Sequence, residues 1–136
     1  MHGAGEDYIE TIYILQKRMG SVRSVDVARE LGFSRASVSR AVGYMRDMGL
    51  LNMQEGGYLE LTEAGQKEAE AVYDRHITLT AFLMATSHVD ADTAEKDACR
   101  IEHIISPLTL EGIKRFAEDH KDLYEGIALP AEYHTR

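Results

Sequence analysis

Ser24-Val25-Asp26-Val27-Ala28-Arg29-Glu30-Leu31-Gly32-Phe33-Ser34-Arg35-Ala36-Ser37-Val38-Ser39-Arg40-Ala41-Val42-Gly43-Tyr44-Met45-Arg46-Asp47-Met48-Gly49 decides the fold of this chain. Residues 24–31 read as a short helix, with Ser24 a good N-cap and Gly32 a good stop. Ser34 caps a second helical run over 35–48, in which Val38, Val42 and Met45 share the inner face, and Gly49 ends it. Two helices joined by a tight glycine-containing turn are a helix-turn-helix signature. Leu50-Leu51-Asn52-Met53-Gln54-Glu55-Gly56-Gly57-Tyr58-Leu59-Glu60-Leu61 follows at once. Its two strand-like runs flank Gly56-Gly57, which predicts a hairpin. A hairpin placed there is the wing of a winged helix.

Outward from this core, residues 6–19 keep a 3.6-residue period through Ile9, Ile12, Tyr13 and Gln16, and Gly20 ends that helix. On the other side Thr62 caps a long helix to about Ser87, with the stripe Ala69, Val72, Tyr73, His76, Leu79, Thr80 and Leu83. A break at 89–92 precedes a helix over 91–105. Ser106-Pro107 then starts a last helix to about His120, proline being tolerated at the first helical position. From Lys121 no period is visible, which predicts a loosely ordered tail. The expected fold is mainly α: a winged-helix domain over 1–63, an all-helical domain over 64–124 and a tail over 125–136. The boundary is expected inside or near the long helix, which the two domains share in place of a flexible linker.

The net charge of −8 argues naively against nucleic acid. Its distribution argues otherwise. Residues 17–46 hold seven basic side chains against two acidic ones, a local +5 that leaves −13 elsewhere. A basic segment meets phosphate; an acidic body binds cations or keeps the protein soluble. No apolar run approaches the roughly 20 residues that span a bilayer. One cysteine and no visible secretory signal fit a reducing cytosol.

On the second helix of the motif, Ser34, Arg35, Ser37, Ser39, Arg40 and Tyr44 take outward or partly outward positions. Small hydroxyl residues allow close approach and donate to phosphate oxygens, while Arg35 and Arg40 reach guanine edges or backbone. The plain alternative is a solvated corner of an all-helical protein. The wing and the basic bias point away from it. Arg23 and Arg46 fit phosphate contacts or plain surface charges.

Cys99-Arg100-Ile101-Glu102-His103 places a thiol, a carboxylate and an imidazole at i, i+3 and i+4, on one face if helical. All three donate to divalent first-row transition metals. Asp7 and Glu10 pair at i and i+3 on the first helix, and His76 sits on the apolar stripe of the long one. Each has a structural alternative: a solvated first turn for the carboxylates, a packed core residue for His76, a small apolar residue for Cys99. The six converge only if the three helices pack together. His2, His88, His120 and His134 lack such company and read as surface residues.

Glu6-Asp7-Tyr8-Ile9-Glu10-Thr11-Ile12-Tyr13, the helix-turn-helix over 26–51, Leu61-Thr62-Glu63-Ala64-Gly65, Arg75-His76 and Asp97-Ala98-Cys99-Arg100-Ile101-Glu102-His103 resemble the diphtheria toxin repressor (DtxR) family. Within it the chain is similar to the shorter manganese transport regulator (MntR) branch, the SH3-like domain of the long members finding no room in 136 residues. The resemblance implies a winged-helix DNA-binding domain followed by a helical metal-binding and dimerisation domain. It implies a homodimer whose binding to palindromic double-stranded operators is activated by metal, repressing metal-uptake genes. Asp7, Glu10, His76, Glu102 and His103 match metal-ligand positions of the manganese branch. Cys99 departs from it: that branch has glutamate there, while the iron-responsive branch has cysteine but methionine at the position of Asp7. The oxygen donors suit Mn(II) and the thiolate suits Fe(II), with Co(II) or Zn(II) as substitutes in vitro. The iron branch's ancillary site uses a carboxylate where this chain has Thr80.

The expected function is thus a cytoplasmic, metal-activated repressor with Mn(II) or Fe(II) as corepressor, with no enzymatic role and no membrane. Two alternatives stand beside it. One is a metal-independent winged-helix regulator answering another ligand. The other is a metal-dependent hydrolase with Glu102 as base, against which stands the lack of any HExxH, nucleophile elbow or phosphate loop.

Overall fold

In the computed structural model, which describes residues 4–130, the chain divides into two compact units, the first through Ala71 and the second from Val72. The first unit begins with α1 (Ala4–Met19), β1 (Val22–Arg23), α2 (Ser24–Leu31) and α3 (Arg35–Asp47). The strands β2 (Leu51–Met53) and β3 (Tyr58–Leu61) follow, then α4 (Glu63–Ser87), which continues into the second unit. Ile9, Ile12, Val27, Leu31, Val38, Val42, Met45, Leu51 and Leu59 are buried at the helical and strand periods that the sequence shows. Within this unit α1 packs on α2 and α3. The Tyr8 and Phe33 rings meet edge-on with centroids 5.7 Å apart.

The helix caps explain the boundaries. Arg23, not Ser24, is the N-cap of α2, because the Asp26 carboxylate accepts the Arg23 N–H at 2.9 Å and makes a serine hydroxyl unnecessary there. Gly32 closes α2 in the left-handed region with φ 70°, its N–H donating to Ala28 O at 2.9 Å. Ser34 does cap α3, its Oγ accepting from the Ser37 N–H at 3.1 Å. The hairpin forms as expected, with Gly56 and Gly57 at φ 81° and 80° in a 3₁₀ turn at its tip. A third strand, β1, joins it, giving an antiparallel sheet of order β1-β3-β2 with Val22 opposite Leu59 and Leu51 opposite Leu61.

Thr62 ties this sheet to α4. Its N–H donates to Leu50 O at 3.0 Å, its hydroxyl donates to Gly49 O at 2.6 Å, and the same oxygen accepts from the Gly65 N–H at 3.1 Å. A Cβ at Gly65 would overlap the Leu50 carbonyl oxygen, so only glycine lets the helix start so close to the strand.

The second unit contains the rest of α4, α5 (Ala91–Ile101) and α6 (Pro107–Asp119). α5 ends four residues before the expected 105. Ser106 is held extended at φ −77°, ψ 154°, as a residue before proline must be, and its Oγ accepts the Thr109 N–H to cap α6. The chain therefore leaves the helix early, and the Ile104 and Ile105 N–H groups both close on Ile101 O at 3.0 Å. The start of the tail is not structureless: Lys121–Tyr124 forms a 3₁₀ turn. Among the described residues no helix is long and apolar enough to cross a membrane.

Candidate metal centre and nucleic-acid interface

In the second unit three segments bring titratable side chains together. α4 supplies His76, α5 supplies Glu95 and Cys99, and the turn after α5 supplies Glu102 and His103. Glu102 keeps helical angles, φ −58° and ψ −25°, and its N–H still donates to Ala98 O, so the early end of α5 leaves its carboxylate on the face of Cys99. His76 Nδ1 lies 2.8 Å from Glu102 Oε1, with both side chains sealed from solvent. Arg75 holds the same turn from the backbone, its Nε donating to Glu102 O at 2.8 Å. On the other side of the ring, His76 Nε2 is 3.6 Å from Glu95 Oε1. Cys99 Sγ and a ring nitrogen of His103 lie within 4.8 Å of one another.

Burial pushes His76 down to about 3, and the neighbouring His103 pushes it the same way. The imidazole is therefore neutral at physiological pH and carries a lone pair. The His76–Glu102 pair, a buried neutral imidazole against a buried carboxylate, and the Cys99–His103 pair, a half-buried thiol beside a second imidazole, each offer donors that fit a divalent first-row metal. Their N, O and S chemistry excludes the all-oxygen cage that Ca(II) prefers.

Asp7 and Glu10 stand one turn apart on α1, in the first unit, Asp7 half-buried and Glu10 fully buried. His88 and His120 are exposed, as expected; His2 and His134 lie outside the described residues.

On α3, Arg35, Ser39, Arg40 and Tyr44 are exposed, Tyr44 to 60 %. Ser34 is taken up in capping, and its hydroxyl also donates to Ser37 Oγ at 2.9 Å. Arg40 Nη2 donates to that Ser37 oxygen at 3.4 Å, so three of the candidate residues form one polar chain along the helix. Between β1 and β3 the Arg23 guanidinium lies 4.3 Å from the Tyr58 ring centroid and donates to its hydroxyl at 2.7 Å. This clasp gave no sequence signal, because β1 is too short to show a period. Arg75 and Glu95 were missed as well. The signal for Glu95 is its spacing: it shares the buried face of α5 with Ala94 and Ala98, four residues before Cys99.

Residues 3–59 match the N-terminal DNA-binding domain of the iron dependent repressors, and residues 62–125 match their metal binding and dimerisation domain. The chain is 32 % identical, over 86 % of its length and 94 % of the relative's, to an uncharacterised HTH-type transcriptional regulator of Methanocaldococcus jannaschii. It is 33 % identical to the transcriptional regulator MntR of Escherichia coli, over 85 % of this chain and 74 % of that one. With the HTH-type transcriptional regulator MntR of Bacillus subtilis it shares 32 % identity over 96 % of both. The fold is similar to that of the manganese regulator SloR, with a TM-score of 0.76, 24 % identity and coverage of 98 % of this chain and 62 % of that one. It is also similar to IdeR of T. acidophilum, with a TM-score of 0.77, 22 % identity and coverage of 96 % and 65 %. The chain thus spans less than two thirds of the length of these two solved chains.

Proposed function

Because the chain belongs to the iron-dependent repressor family, we propose that it is a metal-activated DNA-binding repressor of metal-ion uptake genes, with Mn(II) or Fe(II) as corepressor. The observation that carries this is the sealed His76–Glu102 pair, a neutral imidazole against a carboxylate in the unit that matches a metal-binding domain. The relatives named above are transcriptional regulators.

We assign Asp7, Glu10, His76, Cys99, Glu102 and His103 to the metal, the first two supplied by α1. When bound, the cation supplies a coordination cross-link among these carboxylate, imidazole and thiolate donors. Every donor must be deprotonated to serve, so loading weakens as pH falls. α1 also packs on α2 and α3 within the DNA-binding unit, so whatever Asp7 and Glu10 hold bears on the reading helix. Arg35, Ser37, Ser39, Arg40 and Tyr44 read or grip the duplex, with Ser34 shaping the start of that helix. The thiolate of Cys99 favours Fe(II), Co(II) or Zn(II), and the carboxylates favour Mn(II).

A homodimer fits this function, because two reading heads give the half-site spacing of a palindromic operator. Ile104 and Leu108 support it, two large apolar side chains 82 % and 80 % exposed beside the start of α6. A repressor of this kind acts in the cytoplasm. The test is operator binding followed by fluorescence anisotropy under anaerobic, metal-buffered conditions. Tight binding with Mn(II) or Fe(II) and loss with chelator is expected; equal binding in both overturns the proposal.

A further inference from the structure

His76 is flanked at both ring nitrogens by buried carboxylates. Nδ1 lies 2.8 Å from Glu102 Oε1, and Nε2 lies 3.6 Å from Glu95 Oε1. Glu102 belongs to the proposed donor set, but Glu95, 7 % exposed, has no role in it. Its carboxylate is held on the side of the ring opposite Glu102.

A neutral imidazole carries one N–H. While Glu102 accepts from His76, that hydrogen sits on Nδ1, and the Nδ1 lone pair is not available. For Nδ1 to face a cation, the ring must carry its hydrogen on Nε2, the nitrogen turned toward Glu95. Histidine ligands characteristically donate their second ring N–H to a carboxylate, which fixes the tautomer and raises the basicity of the ligating nitrogen.

We propose that Glu95 is a positioning residue of the metal centre, accepting the Nε2–H of His76 when Nδ1 turns its lone pair to the cation. One N–H bond breaks at Nδ1 and one forms at Nε2. The ring is neutral before and after, and no net proton passes to solvent. The present 3.6 Å is longer than a hydrogen bond, so the carboxylate closes by about 0.6 Å to reach ordinary N–H···O distance. His76 and Glu95 both line a cavity of about 40 Å³ with Tyr73, Ile77, Thr80 and Leu129, so the carboxylate is not packed on every side.

The inference rests on the reading of His76 as a metal ligand, and the test separates the two. Diamagnetic Zn(II) serves as the probe. In ¹⁵N NMR of the wild type, the His76 N–H is expected on Nδ1 in the metal-free protein and on Nε2 after Zn(II) loading. Zn(II) affinity by competition with a chelating dye is expected to fall about 10-fold in Glu95→Gln and about 100-fold in Glu95→Ala. Amide spectra of the metal-free variants check that they are folded, and the isosteric glutamine keeps the test open should the alanine variant not fold. Wild-type affinity in Glu95→Gln and in a folded Glu95→Ala overturns the inference, as does an N–H that stays on Nδ1 after loading. His76→Ala tells the failures apart. If it binds Zn(II) like the wild type, the reading of His76 as a ligand fails; if it loses Zn(II) while the Glu95 variants do not, only the role of Glu95 fails.

Discussion

The carbonyl oxygen of Leu50 occupies the place where a Cβ on Gly65 would stand. In an exposed helix, glycine to alanine gains about 1 kcal/mol in propensity. At position 65 the added methyl meets backbone that Thr62 pins in place by two hydrogen bonds, to Gly49 and Leu50. Gly65→Ala is therefore expected to destabilise the protein by about 1–3 kcal/mol, the usual cost of overpacking. Urea unfolding followed by circular dichroism measures it, and a stability gain would contradict the contact.

The His76–Glu102 pair holds two of the proposed metal ligands. His76→Ala and Glu102→Gln are each expected to lower Mn(II) affinity at least about 10-fold, since the first deletes a proposed ligand and the second exchanges an anionic oxygen donor for a weaker neutral one. Isothermal titration on the metal-free proteins reads this. Unchanged affinity in both would remove this pair from the metal centre.

Metal-free stability should depend on pH through His76. In the unfolded chain it titrates near 6.5, but in the fold near 3. Between these values the unfolded state takes up a proton that the folded state refuses, so acid favours unfolding. Stability from this group is fully present above pH 6.5 and is lost toward pH 3, by up to about 1.4 kcal/mol per pH unit. Urea midpoints at pH 7.5, 6.5 and 5.5 should fall more steeply in the wild type than in His76→Gln, which cannot titrate. Equal slopes would count against a buried neutral ring.

Leu108→Asp places a charge beside Ile104, where two large apolar side chains stand exposed. Analytical ultracentrifugation is expected to show a shift from dimer to monomer with the fold intact, and DNA affinity should fall with it. A variant that sediments like the wild type would move the dimer interface elsewhere.

Arg35→Ala and Arg40→Ala are each expected to weaken operator binding by about 1–3 kcal/mol if they touch bases. If they touch phosphate, the salt slope falls by about one instead. Anisotropy titrations at several salt concentrations separate the cases, and wild-type binding in both variants would argue against α3 as the reading helix.

Much of the fold was legible because punctuation and period agree. Gly32, Ser34 and Gly49 bracket α2 and α3, and Gly56-Gly57 marks the hairpin tip. β1 left no trace, since two residues cannot show an alternation. The end of α5 was placed too late because the apolar pattern continues through Ile104 and Ile105, while the conformation that Pro107 imposes on Ser106 has already bent the chain. The donors His76, Cys99, Glu102 and His103 were visible as residue types at helical spacing. Glu95 was not, because an acidic residue in a charged stretch reads as solvated until tertiary packing buries its face. Arg75 escaped for a related reason: its contact is with a backbone carbonyl, which no side-chain pattern encodes.

The sheet order has a further consequence. Its two outer strands, β1 and β2, are two and three residues long. A strand that short offers an incoming chain too few unpaired backbone groups to template pairing. The sheet can thus leave its two edges bare without inviting edge-to-edge aggregation, even where several copies of the chain crowd together.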